Sequence, residues 1–150
     1  MRPHPAGREK FCRRPAARLL LSSLQPVNTP LQPLAVLDGA LCQLTREGSR
    51  AAWHAPLATA VLEFRRGPMC FYVREHPHGL LPGLPNLYCL DGALRLQWLA
   101  EWPLADDPCA TIAAIEGDTL TAVSTHGFTV RIDAHTGRLL DCTAPVAMAN

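Results

Sequence analysis

The densest gathering of chemically capable side chains in this chain is Glu75-His76-Pro77-His78, with Cys70 five residues before Glu75. Two imidazoles at i and i+2, separated by a proline, can both reach outward from a loop. A protein-bound zinc ion, however, needs three or four such donors converging on one point. His76 and His78 are the candidate metal ligands, and the spacing names no third. The segment continues Gly79-Leu80-Leu81-Pro82-Gly83-Leu84-Pro85, setting three leucines among glycines and prolines. An apolar set in so long a connection reads either as a docking surface or as a cover folded back on the sheet. His76, His78, Leu80, Leu81 and Leu84 are therefore the candidate partner-contacting residues.

Elsewhere the chemistry is sparse. Nucleophilic catalysis needs a Ser or Cys beside a base that a third group orients. Ser124 and His126 stand only two residues apart at a turn, and no G-x-S-x-G motif occurs. Asp106-Asp107 and Glu101 could pair as carboxylates, but adjacent acids at a strand end are expected to be solvated. No glycine-rich phosphate loop is present. No catalytic residue and no cofactor are assigned, and enzymatic activity is not expected. The six cysteines are dispersed without a C-x-x-C pair, and Cys42, Cys70 and Cys89 lie in strand-like apolar runs. Thiols in such settings behave as small hydrophobes, so all six are expected to be reduced and unpaired.

The elements that position these residues follow from composition and pattern. Hydrophobic residues make up 48% of the 150 and charged residues 18%, which suits one globular domain. The net charge of +1 is unevenly spread: residues 1–20 carry +5 and the remainder −4. The body is thus mildly acidic, with no basic stripe to follow a phosphate backbone, and nucleic-acid binding is not expected. Residues 1–33, basic and punctuated by six prolines, read as a poorly ordered tail. Its apolar run Leu19–Leu24 is short for a secretory signal, and no small-x-small site follows. No stretch approaches the ~18 apolar residues of a membrane span. The expected location is cytoplasmic, away from membranes.

From Leu34 onward the chain is a series of short β runs bounded by Gly, Pro and Asp. Strands are predicted near 34–37, 40–44, 50–55, 58–64, 69–74, 86–90, 94–102, 110–115, 119–124, 127–132 and 138–142. The turns carry chemistry of their own. Glu116-Gly117-Asp118, Thr125-His126-Gly127 and Asp133-Ala134-His135-Thr136-Gly137 each place glycine where a tight turn needs positive φ. A cadence recurs: Leu44-Thr45 runs on to Trp53, Leu90-Asp91-Gly92 to Trp98, and Ile132-Asp133 through Gly137 into Leu139-Leu140. The repeats are 46 and 42 residues apart, close to the ~40–50 residues of a propeller blade.

Asn86-Leu87-Tyr88-Cys89-Leu90-Asp91, ending at Trp98, resembles the repeat of pyrroloquinoline-quinone-type (quinoprotein-like) β-propellers, as does Gly127–Leu140. The likeness spans roughly 34–142 and is similar to that of short bacterial proteins carrying only a few such repeats. It implies an all-β fold of consecutive antiparallel meanders over 34–145, two to three blades that do not close into a ring. Departures are visible: Leu94 stands near where a turn glycine is expected, and Thr45 replaces the aspartate. A quinone site would need a full ring of blades, and no adjacent Cys-Cys pair exists here. In repeat proteins a recurring tryptophan fills the seam between stacked sheets, so Trp53 and Trp98 are assigned there. Too few blades leave an open sheet edge. The expected function is a non-enzymatic protein-interaction module, contacting a protein partner or a second copy through the 76–85 loop and that edge. The alternative is a metal or small-ligand binding protein using His76 and His78.

Overall fold

The computed structural model describes residues 32–147, and these are all β, with no helix. Eleven strands form three antiparallel sheets, none closed into a barrel. The first sheet holds β1 (Leu34–Leu37), β2 (Ala40–Leu44) and β3 (Arg50–His54). The second holds β4 (Val61–Arg66), β5 (Cys70–Glu75), β6 (Leu87–Asp91) and β7 (Leu96–Leu99). The third holds β8 (Cys109–Glu116), β9 (Thr119–Ser124), β10 (Thr129–Asp133) and β11 (Leu139–Thr143). Each sheet is an up-and-down meander in chain order. The tail assigned to 1–33 lies outside the described residues except for its last two positions. No helix among the described residues is long and apolar enough to cross a membrane.

The repeated Leu44, Leu90 and Ile132 fall in β2, β6 and β10. In the two four-stranded sheets that strand is the third, whereas among the described residues of the first sheet it is the second, so the counterpart of a first strand is not among them. The turns after these strands share one device. Asp91 accepts hydrogen bonds from the Ala93 and Arg95 amides, Asp133 from those of His135 and Thr136. Thr45 takes the same role through its hydroxyl, which accepts from the Ser49 amide at 3.1 Å. A side-chain oxygen that holds amides two to four residues on is what the position demands, and a threonine meets that demand as well as an aspartate. Leu94 adopts a left-handed φ of 62° with its side chain buried at 6% exposure. Its place in the core offsets a backbone cost of roughly 1–2 kcal/mol.

The central sheet is buried on both faces, and its sequence shows why. In β5, Phe71 and Val73 share one face and Tyr72 the other; β6 reads Leu-Tyr-Cys-Leu with no polar parity. Val61, Phe71, Val73, Tyr88 and Leu90 pack with Leu41 of the first sheet. Tyr72, Leu87 and Cys89 pack instead with Ile112, Leu120, Val130 and Ile132 of the third. Trp98 lies at this second seam, its ring centroid 6.0 Å from that of Tyr72. Trp53 does not fill a seam: it is 57% exposed, with the Arg50 guanidinium 5.8 Å from its ring centre. It projects from β3 beside Cys42, on the face turned away from the second sheet, where the described residues place no further sheet.

At the second seam Gly137, with φ of 75°, lies so close to Trp98 that a Cβ would come within 3 Å of its ring. The Gly137 carbonyl also accepts from the Glu101 amide at 2.8 Å. Gly48 has a similar φ of 83° but open space around it. Gly137→Ala should therefore cost about 3 kcal/mol, backbone strain plus overpacking, against about 1 kcal/mol for Gly48→Ala. Urea denaturation of both variants checks this. Equal losses would show that the Trp98 ring yields and the seam is loosely packed.

Candidate functional site

β5 ends at Glu75 and the chain leaves the sheet until Asn86 returns it to β6. Both ends of this excursion are pinned. The His76 amide donates to Ala60 at 2.7 Å, and the Thr59 hydroxyl donates to the His76 carbonyl at 2.9 Å. Asn86, 1% exposed, donates through Nδ2 to the carbonyls of Glu75 and Cys109, while its Oδ1 accepts from the Cys109 amide at 2.9 Å. One side chain thus ties the second sheet to the start of β8. Opposite the loop runs the connection 100–108, where the Trp102 indole donates to the Asp107 carbonyl at 2.8 Å. Between loop and connection lies a cavity of about 550 Å³, lined chiefly by Leu80, Leu81, Leu84, Trp102, Leu104 and several prolines. His78 and Asp106 stand in its wall.

The sequence-assigned residues divide between two places. Leu80 and Leu84 are half-buried, whereas Leu81 is 63% exposed. The rings of His76 and His78 approach to 5.3 Å between centroids. The His78 amide donates to His76 Nδ1 at 3.1 Å, so that nitrogen's lone pair is already engaged. Glu75 turns away from both histidines into the core, and Cys70 sits at the opposite end of β5. Among the described residues, no group of three or more His, Cys, Asp and Glu side chains could hold a metal ion.

Asp107 is buried rather than solvated, at 8% exposure. Its Oδ1 accepts from the Thr125 hydroxyl and from the His126 amide, and the His126 ring lies 2.9 Å away. Burial pushes its carboxyl up, but the Ser124 and Thr125 hydroxyls and the His126 contacts outweigh that and hold it below the usual range. Ser124 Oγ accepts from the Phe128 amide at 2.9 Å. Ser124, His126 and Asp107 are thus brought together and cap a turn: the Ser124 oxygen accepts from the Phe128 amide and Asp107 from the His126 amide.

The most heavily bonded polar group was not singled out by spacing. Glu75 is 1% exposed, and its carboxylate accepts from the consecutive amides of Leu57, Ala58 and Thr59 and from Tyr88 Oη at 2.7 Å. These bonds explain why β4 begins at Val61 and not at 58: the preceding amides serve the carboxylate instead of a ladder. Tyr88 Oη also meets His54 Nε2 at 3.2 Å. Burial and the neighbouring carboxylate push the Tyr88 phenol far up, so it remains a donor. Burial lowers the His54 pKa, partly countered by the Glu75 charge. The signal in the sequence was parity: Glu75 continues the buried face of Phe71 and Val73. No protein-family model matches the chain, and no curated protein and no solved structure shows significant similarity to it.

The network makes stability depend on pH with a definite sign. Burial pushes the Glu75 carboxyl up, but the amide and phenol bonds win, leaving it below its ordinary 4.5. A depressed carboxyl contributes stability above the unfolded value that is lost as pH falls through the folded one. His54, lowered from 6.5, must stay neutral in the fold, so acidification below that value also disfavours folding. Guanidinium midpoints should therefore fall from pH 7 to 5 and more steeply below 4.5. Glu75→Gln should cost about 2–3 kcal/mol at pH 7 and flatten the lower step. His54→Gln should flatten the upper one. Unchanged acid profiles in both variants would remove the network from the stability account.

Proposed function

We propose that this protein is a non-enzymatic interaction module that docks a protein partner on the surface formed by the 76–85 loop and the 100–108 connection. The observation that supports this reading is the cavity of about 550 Å³ between them, lined by Leu80, Leu84, Trp102 and Leu104 among polar groups, with Leu81 at its wall left 63% exposed. Its polar neighbours are already committed, Asn86 to backbone groups and the Trp102 indole to a carbonyl. The rest of the wall sets leucines and prolines beside polar groups, His78 and Asp106 among them, the arrangement of a hydrophobic contact with polar surroundings. Prolines at 77, 82 and 85 restrict the free loop, so ordering it on a partner costs less entropy. Free thiols at Cys42, Cys70, Cys89, Cys109 and Cys142 support a reducing compartment such as the cytoplasm.

A small ligand in the same cavity is the second reading, favoured by a volume inside the ~300–1,000 Å³ range of ligand sites. A metal at His76 and His78 is less well supported, since His76 Nδ1 already accepts a hydrogen bond. Substitution separates the readings. Leu81→Asp should leave the melting temperature unchanged, because Leu81 is on the surface, and should cut recovery of a specific partner in quantitative affinity capture at least tenfold. Leu140→Asp, equally exposed on β11 but far along the chain from the loop, is the control and should recover the partner as wild type does. Equal recovery by both variants would count against the loop as a docking surface. A small molecule retained by the wild type through native mass spectrometry would favour the second reading.

A further inference from the structure

At the hairpin joining β4 and β5 the structure has a second recess, of about 290 Å³, and sulfur collects in it. Met69 closes the Gly67-Pro68-Met69 turn and is 87% exposed. Cys70 and Cys89 line the recess together with Met69, Tyr72 and Trp98. In the ladder Cys70 opposes Asp91 and Tyr72 opposes Cys89, which sets the two cysteines diagonally on one face of adjacent strands. Cys89 is 2% exposed, and its thiol donates to the Leu90 carbonyl at 3.6 Å. Gly67 lets the turn close over them: a Cβ there would stand 2.8 Å from Cys70 Sγ.

Diagonal positions on antiparallel strands hold their Cα atoms about 7–8 Å apart. A disulfide tolerates about 6.8 Å at most, so the register favours two thiols over a bond between them. The same offset suits two sulfurs bridged by an ion, since metal–sulfur bonds of about 2.3 Å hold them roughly twice that distance apart. Of the harder donors in the recess, the Asp91 carboxylate is spent. Asp91 accepts from the amides of Ala93 and Arg95 and from the Arg95 guanidinium at 3.0 Å. His135 Nε2 pairs with Asp118 at 2.8 Å. His135 is held at that exposed carboxylate with its Nδ1 free, while the two thiols and the thioether are soft donors, and soft donors select copper(I)-like ions.

We propose that Cys70 and Cys89 form a two-coordinate site for a soft monovalent cation of the copper(I) or silver(I) class, with the Met69 thioether as a weaker third donor at the mouth. On binding, both S–H bonds break and two metal–sulfur bonds form; two protons leave to water, and neither metal nor sulfur changes oxidation state. The site is independent of the 76–85 loop and differs from a zinc site in needing no third nitrogen or oxygen ligand.

Silver(I) titration of the reduced full-length protein tests it, with excess monothiol present so that single exposed thiols such as Cys142 are outcompeted. One ion should bind tightly with release of two protons. Cys70→Ser and Cys89→Ser should each lower the affinity at least 100-fold, Met69→Leu several-fold with the stoichiometry kept, and Cys142→Ser not at all. Should Cys89→Ser fail to fold by circular dichroism, Cys70→Ser and Met69→Leu, both at the accessible end of the strand, decide the matter. Wild-type affinity in Cys70→Ser, or absence of any tight ion in the unmodified protein, would overturn the proposal.

Discussion

Glu75 carries its charge into a seam that water does not reach, and a buried carboxylate is tolerable only if donors converge on it. The chain supplies them from three directions. The amides of 57–59 come from the connection between the first two sheets, and the Tyr88 phenol comes from the next strand of its own sheet. His54, on the last strand of the first sheet, contacts that phenol in turn. The connection therefore cannot drift without stranding a charge, and with it fixed, Leu41 is held against Val61, Phe71 and Tyr88. Three amides presented in sequence, plus one phenol, are a more exacting demand than apolar contact. They set the angle at which the sheets meet, while the leucines and valines supply most of the stabilisation.

The second seam repeats the logic with different residues. Asn86 bridges Glu75 and Cys109 through the backbone, and Asp107 holds the turn between β9 and β10 to the connection before β8. Glu63 of β4 reaches the Arg74 side chain at 2.9 Å, and the Tyr72 hydroxyl donates to the Ala134 carbonyl. These polar contacts flank an apolar centre at each junction. The loop cavity inherits its shape from them: one wall starts at Asn86, the other contains the Trp102 indole that Asp107 orients. A docking surface on such walls is positioned by the core rather than by the loop itself.

Much of the fold was legible because short alternating runs and glycine-bearing turns leave few other solutions for a chain of this composition. All eleven strands overlap the runs where period-2 pattern places them, though β4 is shifted to Val61–Arg66 and β7 shortened to Leu96–Leu99, and the sheet groupings follow from the recurring Leu-Asp turn. What resisted reading depended on partners distant in sequence. Asp107 reads as a solvated acid until the 124–128 turn folds over it. Trp53 reads as a seam residue because its repeat partner Trp98 is one, yet it belongs to a terminal sheet with no described sheet beyond it. Cys70 and Cys89 lie 19 residues apart, and only the β5–β6 register makes them neighbours. Their juxtaposition is a property of pairing, which local pattern does not encode.

The two terminal sheets treat their free faces differently, and this bears on which surfaces can bind. On the third sheet the face away from the core carries Thr121, Arg131 and Asp141 in one cross-strand row, with the arginine and aspartate paired at 2.8 Å. Leu140, 51% exposed, stands on the same edge strand β11 as Asp141. On the first sheet the corresponding face includes Leu37 and Trp53, 38% and 57% exposed. Head-to-tail stacking of copies would need both faces to be apolar and complementary, which the Thr-Arg-Asp row opposes. Among the described residues the first sheet thus presents the more apolar of the two outer faces, with Trp53 and Leu37 on it.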